Sequence, residues 1–197
     1  MKKLFVMSLL MLAAGGWSFA WAGEWDNLPK KKVTTLGLYM HPTDAMKYVQ
    51  ENQDKVLFLD VRSREEVQFL GMPTLVDANI PYMQNSEWPE WNDTAKNFKM
   101  VPNSNFGADV ESRLTAKGLT KNDTVVLMCR SGDRSALAVN LLAKLGYTKV
   151  YSVTEGYEGD LAADGPKKGM RSVNGWKNDG LPWSYELDKK KIYSPSA

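Results

Sequence analysis

The chain has 197 residues, 43% of them hydrophobic and 24% charged, the composition of a globular protein rather than a disordered or fibrous one. Its 25 Lys and Arg stand against 23 Asp and Glu, a formal net charge of +2. Lys2 and Lys3 fall in what reads as a removable leader; without those two, 23 basic residues face 23 acidic ones. Without a clustered basic excess, a nucleic-acid partner is not expected. One Cys excludes an intramolecular disulfide, and with a single His it excludes a Cys/His zinc cluster, so no metal site is expected.

Lys2-Lys3 precede an apolar run over 4–14, then Gly15-Gly16 and Ala20-Trp21-Ala22. A charged start, an apolar middle and an A-x-A site describe a secretory signal peptide over residues 1–22, cleaved after Ala22. The rival reading is an uncleaved anchor, but the glycine pair and two serines weaken this stretch against the roughly 20 strongly apolar residues that span a bilayer. The mature chain would start at Gly23 in the periplasm, with no membrane association after cleavage. There an unpaired thiol is a liability unless it is buried or used.

Residues 23–33 read as an extended N-terminal arm whose Lys30-Lys31-Lys32 run is solvated. Pro42 opens a helix to about Asn52, with Ala45, Met46 and Val49 on one face. Val56, Leu57, Phe58 and Leu59 form a continuous apolar run ending in Asp60-Val61-Arg62, as in a buried parallel strand. Ser63 and Glu66 match a capping box for a helix to about Leu70. Leu75-Val76 and Ala78-Asn79-Ile80 suggest another strand, closed by Pro81.

Residues 82–103, with Trp88, Pro89, Trp91 and Pro102, show no sustained period and read as a long loop or insertion, of the kind that is usually functional or mobile. Trp88 and Trp91 are its candidates for shaping a pocket or a docking surface. Ser104 can cap a helix carrying Phe106, Val110 and Leu114, stopped by Gly118. Residues 124–128 form a second buried strand. A loop over 129–135 leads to a helix with Leu137, Leu141, Leu142 and Leu145 inward and Gly146 as terminator. Residues 150–153 make a last strand before a Gly-rich, aromatic tail with one helical turn near 175–178. Strands alternating with helices predict an α/β fold with a parallel sheet.

In such sheets ligands bind beyond the carboxyl ends of the strands, where Cys129 stands. The stretch Arg130-Ser131-Gly132-Asp133-Arg134-Ser135 runs from it into a helix N-terminus. Unpaired N–H groups and the helix dipole favour an anion there. Gly132 lets the backbone turn so that several N–H groups point inward. Arg130 and Arg134 make the surroundings electropositive, as around nucleophilic cysteines. The alternative is a small apolar residue closing a core strand.

Cys-Arg-Ser-Gly-Asp-Arg-Ser resembles the active-site loop of rhodanese-domain sulfurtransferases. Leu59-Asp60-Val61-Arg62 with Glu66 is similar to that family's first strand-to-helix signature. Asn79-Ile80-Pro81 resembles its next landmark, and Gly146-Tyr147, Val150-Tyr151 and Glu155-Gly156 resemble its ending. The resemblance covers about residues 34–162, leaving 163–197 as a C-terminal extension packed on the domain. The family's frequent Gly-His-Ile stretch is replaced by Gly71-Met72-Pro73. The resemblance implies a rhodanese-like parallel sheet with helices on both faces and a thiosulfate sulfurtransferase activity without cofactor. Cys129 would carry a persulfide held by residues 130–135.

It further implies a small anionic sulfur donor, drawn in by Arg134, with cyanide, a thiol or an exported acceptor protein taking the sulfur. Arg130 would shape the loop or pair with a carboxylate, and Asp133 would have to point outward. A non-enzymatic persulfide carrier or partner-binding module is the alternative. A cysteine phosphatase or arsenate reductase would place its arginine at position 135, where Ser135 stands; here Arg134 comes one residue early. Asp60, Arg62 and Glu66 are expected to support the loop, the last two as an i, i+4 pair or within the helix cap. His41, before Pro42, suits a capping or surface role rather than catalysis. Tyr157, Trp176, Trp183 and Tyr185 are expected to pack rather than to cage a ligand.

Overall fold

The computed structural model describes residues 24–194; the leader and its cleavage point lie outside them. In chain order the elements are β1 (Tyr39–Met40), α1 (Pro42–Glu51), β2 (Val56–Asp60), α2 (Arg64–Leu70), β3 (Met72–Pro73), β4 (Ala78–Asn79), β5 (Met83–Asn85) and β6 (Trp91–Asn92). They continue with β7 (Asn97–Phe98), β8 (Met100–Pro102), α3 (Phe106–Ala116), β9 (Thr124–Met128), α4 (Asp133–Lys144), β10 (Val150–Val153) and β11 (Trp183–Ser184). A five-stranded sheet in the order β1-β10-β9-β2-β4 is parallel throughout.

The two continuous apolar runs, β2 and β9, pair in its centre and are buried along their whole length. Strand alternation divides their side chains between two cores. Leu57, Leu59, Val125 and Leu127 join Phe106, Val110 and Leu114 of α3 with Val139 and Leu142 of α4. Val56, Phe58, Val126 and Met128 join Ala45 and Val49 of α1 with Val67 of α2. Helices therefore cover both faces, and every strand delivers its carboxyl end to the same edge.

The structure corrects several sequence expectations. Leu75-Val76 is not strand: Val76 N–H closes a turn onto the Pro73 carbonyl, leaving β4 only two residues long. Residues 82–103 are not irregular but a two-tiered antiparallel ribbon, β5 with β8 at its base and β6 with β7 at its tip. Their short strands and prolines gave no alternation to read. The N-cap of α3 is Asn105, not Ser104, with the Asn103 side chain bonding the Asn105 N–H. Leu137 of α4 and its C-cap Leu145 are exposed; the buried positions are Leu142, as expected, with the smaller Ser135, Ala136, Ala138 and Val139. The lysine run is a 3₁₀ turn against α4; Lys30 and Lys31 are exposed, as expected of a solvated stretch, but Lys32 is buried with its ammonium on Asp160 (2.9 Å).

The tail crosses the sheet's β4 edge. Trp176 and Leu181 fill one core and Tyr193 the other. Between them β11 pairs with β3, and the Lys191 carbonyl accepts the Asn79 N–H of β4. That edge is thus capped rather than left open for another chain.

Candidate functional site

Cys129 directly follows β9, and Gly132, in the left-handed region at φ +95°, turns the chain into α4. The thiol lies at the base of a cleft of about 810 Å³ whose walls include Glu66, Phe98, Met100, Arg130 and Arg134. Gly132 N–H donates to Cys129 Sγ at 3.2 Å. The thiol in turn donates to Ser135 Oγ at 3.6 Å, and Ser135 donates to the Gly132 carbonyl at 3.0 Å. Behind it stands the buried Ser152 hydroxyl of β10, 2.9 Å from Ser135 Oγ. A buried hydroxyl pair beside the sulfur can redirect a proton toward a sulfur anion without moving backbone. The first-turn N–H groups of α4 have no intrahelical acceptor by helix geometry, which adds to the anion-favouring field.

Two further layers hold this loop. Tyr157 N–H bonds the Cys129 carbonyl, and Glu158 and Gly159 N–H bond that of Arg130. Lys31 pairs with Asp133 at 2.7 Å, drawing that carboxylate toward the N-terminal arm. His41 occupies the N-cap of α1, but its side chain makes no capping bond and instead bridges Glu24 (3.0 Å) and Glu155 (2.8 Å), so it ties the arm to the segment behind the loop. Burial opposes a charge on His41, but the two carboxylates win and raise it above the ordinary histidine value.

Arg134, expected to draw in the donor, is instead held by Glu66 through two 2.6 Å hydrogen bonds. Glu66 also accepts the Ser63 N–H, completing the α2 capping box, so it serves the cap and Arg134 and makes no hydrogen bond to Arg62. Burial alone would raise the Glu66 carboxyl, but the hydrogen bonds and charge of Arg134 hold it below the usual glutamate value. Arg62 pairs with Asp60 deep under α2, stacks 3.9 Å over the Tyr157 ring and reaches the Gly71 carbonyl at 2.8 Å. Asp60 and Arg62 thus set where α2 begins, Ser63 caps it, and Glu66 carries that placement across to Arg134 on α4.

Glu66→Gln keeps the shape and a capping oxygen but leaves the mostly buried Arg134 uncompensated, so we expect a loss of about 2 kcal/mol at neutral pH after discounting for partial exposure. A carboxyl whose value is lowered by folding stabilises above its unfolded value and ceases to do so as the pH falls through its folded one. The gap between wild type and variant in denaturant melts should therefore close on acidification below about pH 4. A constant gap would mean that the charge of Glu66 contributes nothing.

Of the residues singled out in the sequence, Cys129, Arg130, Ser131, Asp133, Arg134 and Glu66 meet at the cleft. Gly132 and Ser135 contact the sulfur from beneath, and Asp60 and Arg62 stand outside the wall. Of the tail aromatics Tyr157 and Trp176 are buried and Trp183 is half-buried with Lys177 3.9 Å over its ring, but Tyr185, expected to pack, is exposed. Trp88, 85% exposed, and Trp91 do not line the cleft; the ribbon contributes Asn85, Phe98 and Met100 instead. Ser152 and Arg171 were missed. A serine within the apolar 150–153 run was a visible signal for the first, and nothing local marks the second.

The model of the rhodanese-like domain matches residues 43–163. An uncharacterized protein of Rickettsia rickettsii, the RP600 homolog, is 29% identical over 134 residues, 68% of this chain and 87% of that one. The crystal structure of Rv0390 from M. tuberculosis aligns with a TM-score of 0.56 and 27% identity, over 75% of this chain and 96% of that one. A short stretch of 41 residues is 44% identical to the thiosulfate sulfurtransferase GlpE of Tolumonas auensis, covering 21% of this chain and 39% of that protein. The parallel sheet and the cysteine loop at its carboxyl edge agree with a family match over more than half of the sequence, and the chain belongs to the rhodanese-like domain family.

Proposed function

We propose that this protein is a sulfurtransferase that takes sulfane sulfur from thiosulfate or a similar anionic donor and passes it to cyanide or a thiol through a persulfide on Cys129. The observation that carries the reading is the Gly132 N–H aimed at Cys129 Sγ, 3.2 Å away, at a helix start on the floor of an open cleft. Family membership and the likeness to the named sulfurtransferase support it. The Cys129 thiolate attacks the outer sulfur of thiosulfate, the donor's S–S bond breaks, and sulfite leaves with the electron pair. The resulting persulfide anion accepts the Gly132 N–H and a redirected Ser135 hydroxyl. Cyanide then attacks the outer sulfur, thiocyanate departs, and the Cys129 thiolate is restored. The proposed setting is the periplasm, after removal of residues 1–22, with an exported thiol or acceptor protein as the natural partner.

Intact mass of the exported protein tests both parts. A mass corresponding to residues 23–197, one added sulfur after thiosulfate, and its loss with thiocyanate formation on adding cyanide are expected. Uncleaved Met1 on membrane-bound material would overturn the setting. No added sulfur, or hydrolysis of aryl phosphates in its place, would overturn the reaction; loading without turnover would make the protein a persulfide carrier.

A further inference from the structure

Among the described residues, four cations line the cleft: Lys99, Arg130, Arg134 and Arg171. Two are already neutralised, Lys99 by Glu90 at 2.9 Å and Arg134 by Glu66. Arg130 is exposed, and its guanidinium makes no hydrogen bond or ion pair with any described residue. Arg171 shares its wall and uses Nη1 to hold the Gly159 carbonyl at 2.6 Å. Of the acids lining the cleft, Glu66 and Asp133 are taken up by Arg134 and Lys31, which leaves Glu65 alone against two arginines.

The placement of Arg171 is built. Its backbone bridges to Leu161, its carbonyl accepts from Asn178, and Gly159, which its side chain grips, also donates to the Arg130 carbonyl. The Arg171 guanidinium and the Arg130 backbone are thereby fixed to one short stretch of chain, although the two side-chain charges repel each other. Burial first, and then the neighbouring Arg130, press Arg171 below the ordinary arginine value. Glu158, Asp160 and Asp133 act on it in the opposite sense, but Asp160 and Asp133 are engaged by Lys32 and Lys31. Two like charges held together at a concave wall are relieved by an anion that both can reach.

We propose that Arg130 and Arg171 form an anion subsite on the cleft wall that takes the terminal oxyanion, sulfonate or carboxylate, of a molecule whose reactive atom meets Cys129. Arg130 lies within the 43–163 stretch matched by the family model and Arg171 beyond it, so the extension supplies one of the subsite's two arginines. The subsite rests on the sulfurtransferase reading only for the identity of its ligand.

The test compares alkylation of Cys129 by iodoacetate, which carries a carboxylate, with that by neutral iodoacetamide; in both the thiolate forms a C–S bond and iodide leaves. Followed by intact mass at low salt, Arg171→Ala should lower the iodoacetate rate about threefold with the iodoacetamide rate unchanged. Arg171→Glu should lower it further, and Arg171→Lys should restore most of it. The KM for thiosulfate should rise by a similar factor, and added salt should erase the difference.

An unchanged rate ratio together with an unchanged KM overturns the subsite. So does an equal fall with both alkylating agents, which would make Arg171 a brace of the loop. A wild type that never loads sulfur, yet loses its iodoacetate preference in Arg171→Ala, overturns the sulfur chemistry and leaves the subsite standing.

Discussion

Cys129→Ser is expected to take up no sulfur from thiosulfate and to form thiocyanate at least about a thousandfold more slowly than wild type. A serine hydroxyl is a far weaker nucleophile toward sulfur, and the seryl–sulfur bond it would form has no comparable stability. Folding should survive, because the new hydroxyl finds the partners the thiol had. Gly132 N–H still donates and the Ser135 hydroxyl remains within reach, so the melt should move by no more than about 1 kcal/mol. The pairing of lost chemistry with a kept fold is the informative result. A variant that retains a tenth of the wild-type turnover removes Cys129 from the chemistry, and one that unfolds shows that its sulfur is mainly core.

Gly132→Ala should cost more than its single added carbon suggests. At φ +95° a residue with a side chain is already strained by about 1–3 kcal/mol. A Cβ there would also overlap the Thr154 carbonyl oxygen and approach its carbon to 2.9 Å, backbone that is fixed by the Thr154 N–H to Met40 bond. We expect a loss of about 3 kcal/mol, or roughly 10 °C in melting temperature, measured by calorimetry. Relief of the overlap requires the loop to move off Thr154, which withdraws the Gly132 N–H from the sulfur. Sulfur loading should then slow by about a hundredfold, the usual effect of losing one preorganised donor to an anion. A melting temperature within 2 °C of wild type would show that the 129–135 loop is not pinned from behind.

The parts of the fold that were legible were those in which local pattern and tertiary need coincide. Val56–Asp60 and Thr124–Met128 are apolar on both faces because both faces are covered. Ser63 and Glu66 announce their helix within four residues. The cysteine loop was legible because helix-start geometry, glycine and charge are all local. What failed was non-local. Arg134 reads as a free cation until Glu66, 68 residues earlier, is placed on it, whereas the Arg130 guanidinium has no hydrogen bond or ion pair with any described residue. Lys32 looks solvated until Asp160 meets it. Leu137 and Leu145 look inward by size, but α4 lies close to its neighbours and admits Ala136, Ala138 and Val139 instead. The antiparallel ribbon over 82–103 pairs strands of two or three residues, too short for a period of two to register.

The wrap of the tail around the β4 edge bears on how the molecule is made. Trp176, Leu181, Lys191 and Tyr193 complete both cores and the sheet edge, yet they are among the last described residues to be synthesised. Their partners, such as Phe58 and Asn79, precede them by most of the chain, so these contacts close large loops and raise the contact order. A nascent chain that has released everything through the family-matched segment still presents an open strand edge and an unfilled core. Its final cooperative step waits for the tail, although residues 157–159 can already bond the carbonyls of the cysteine loop.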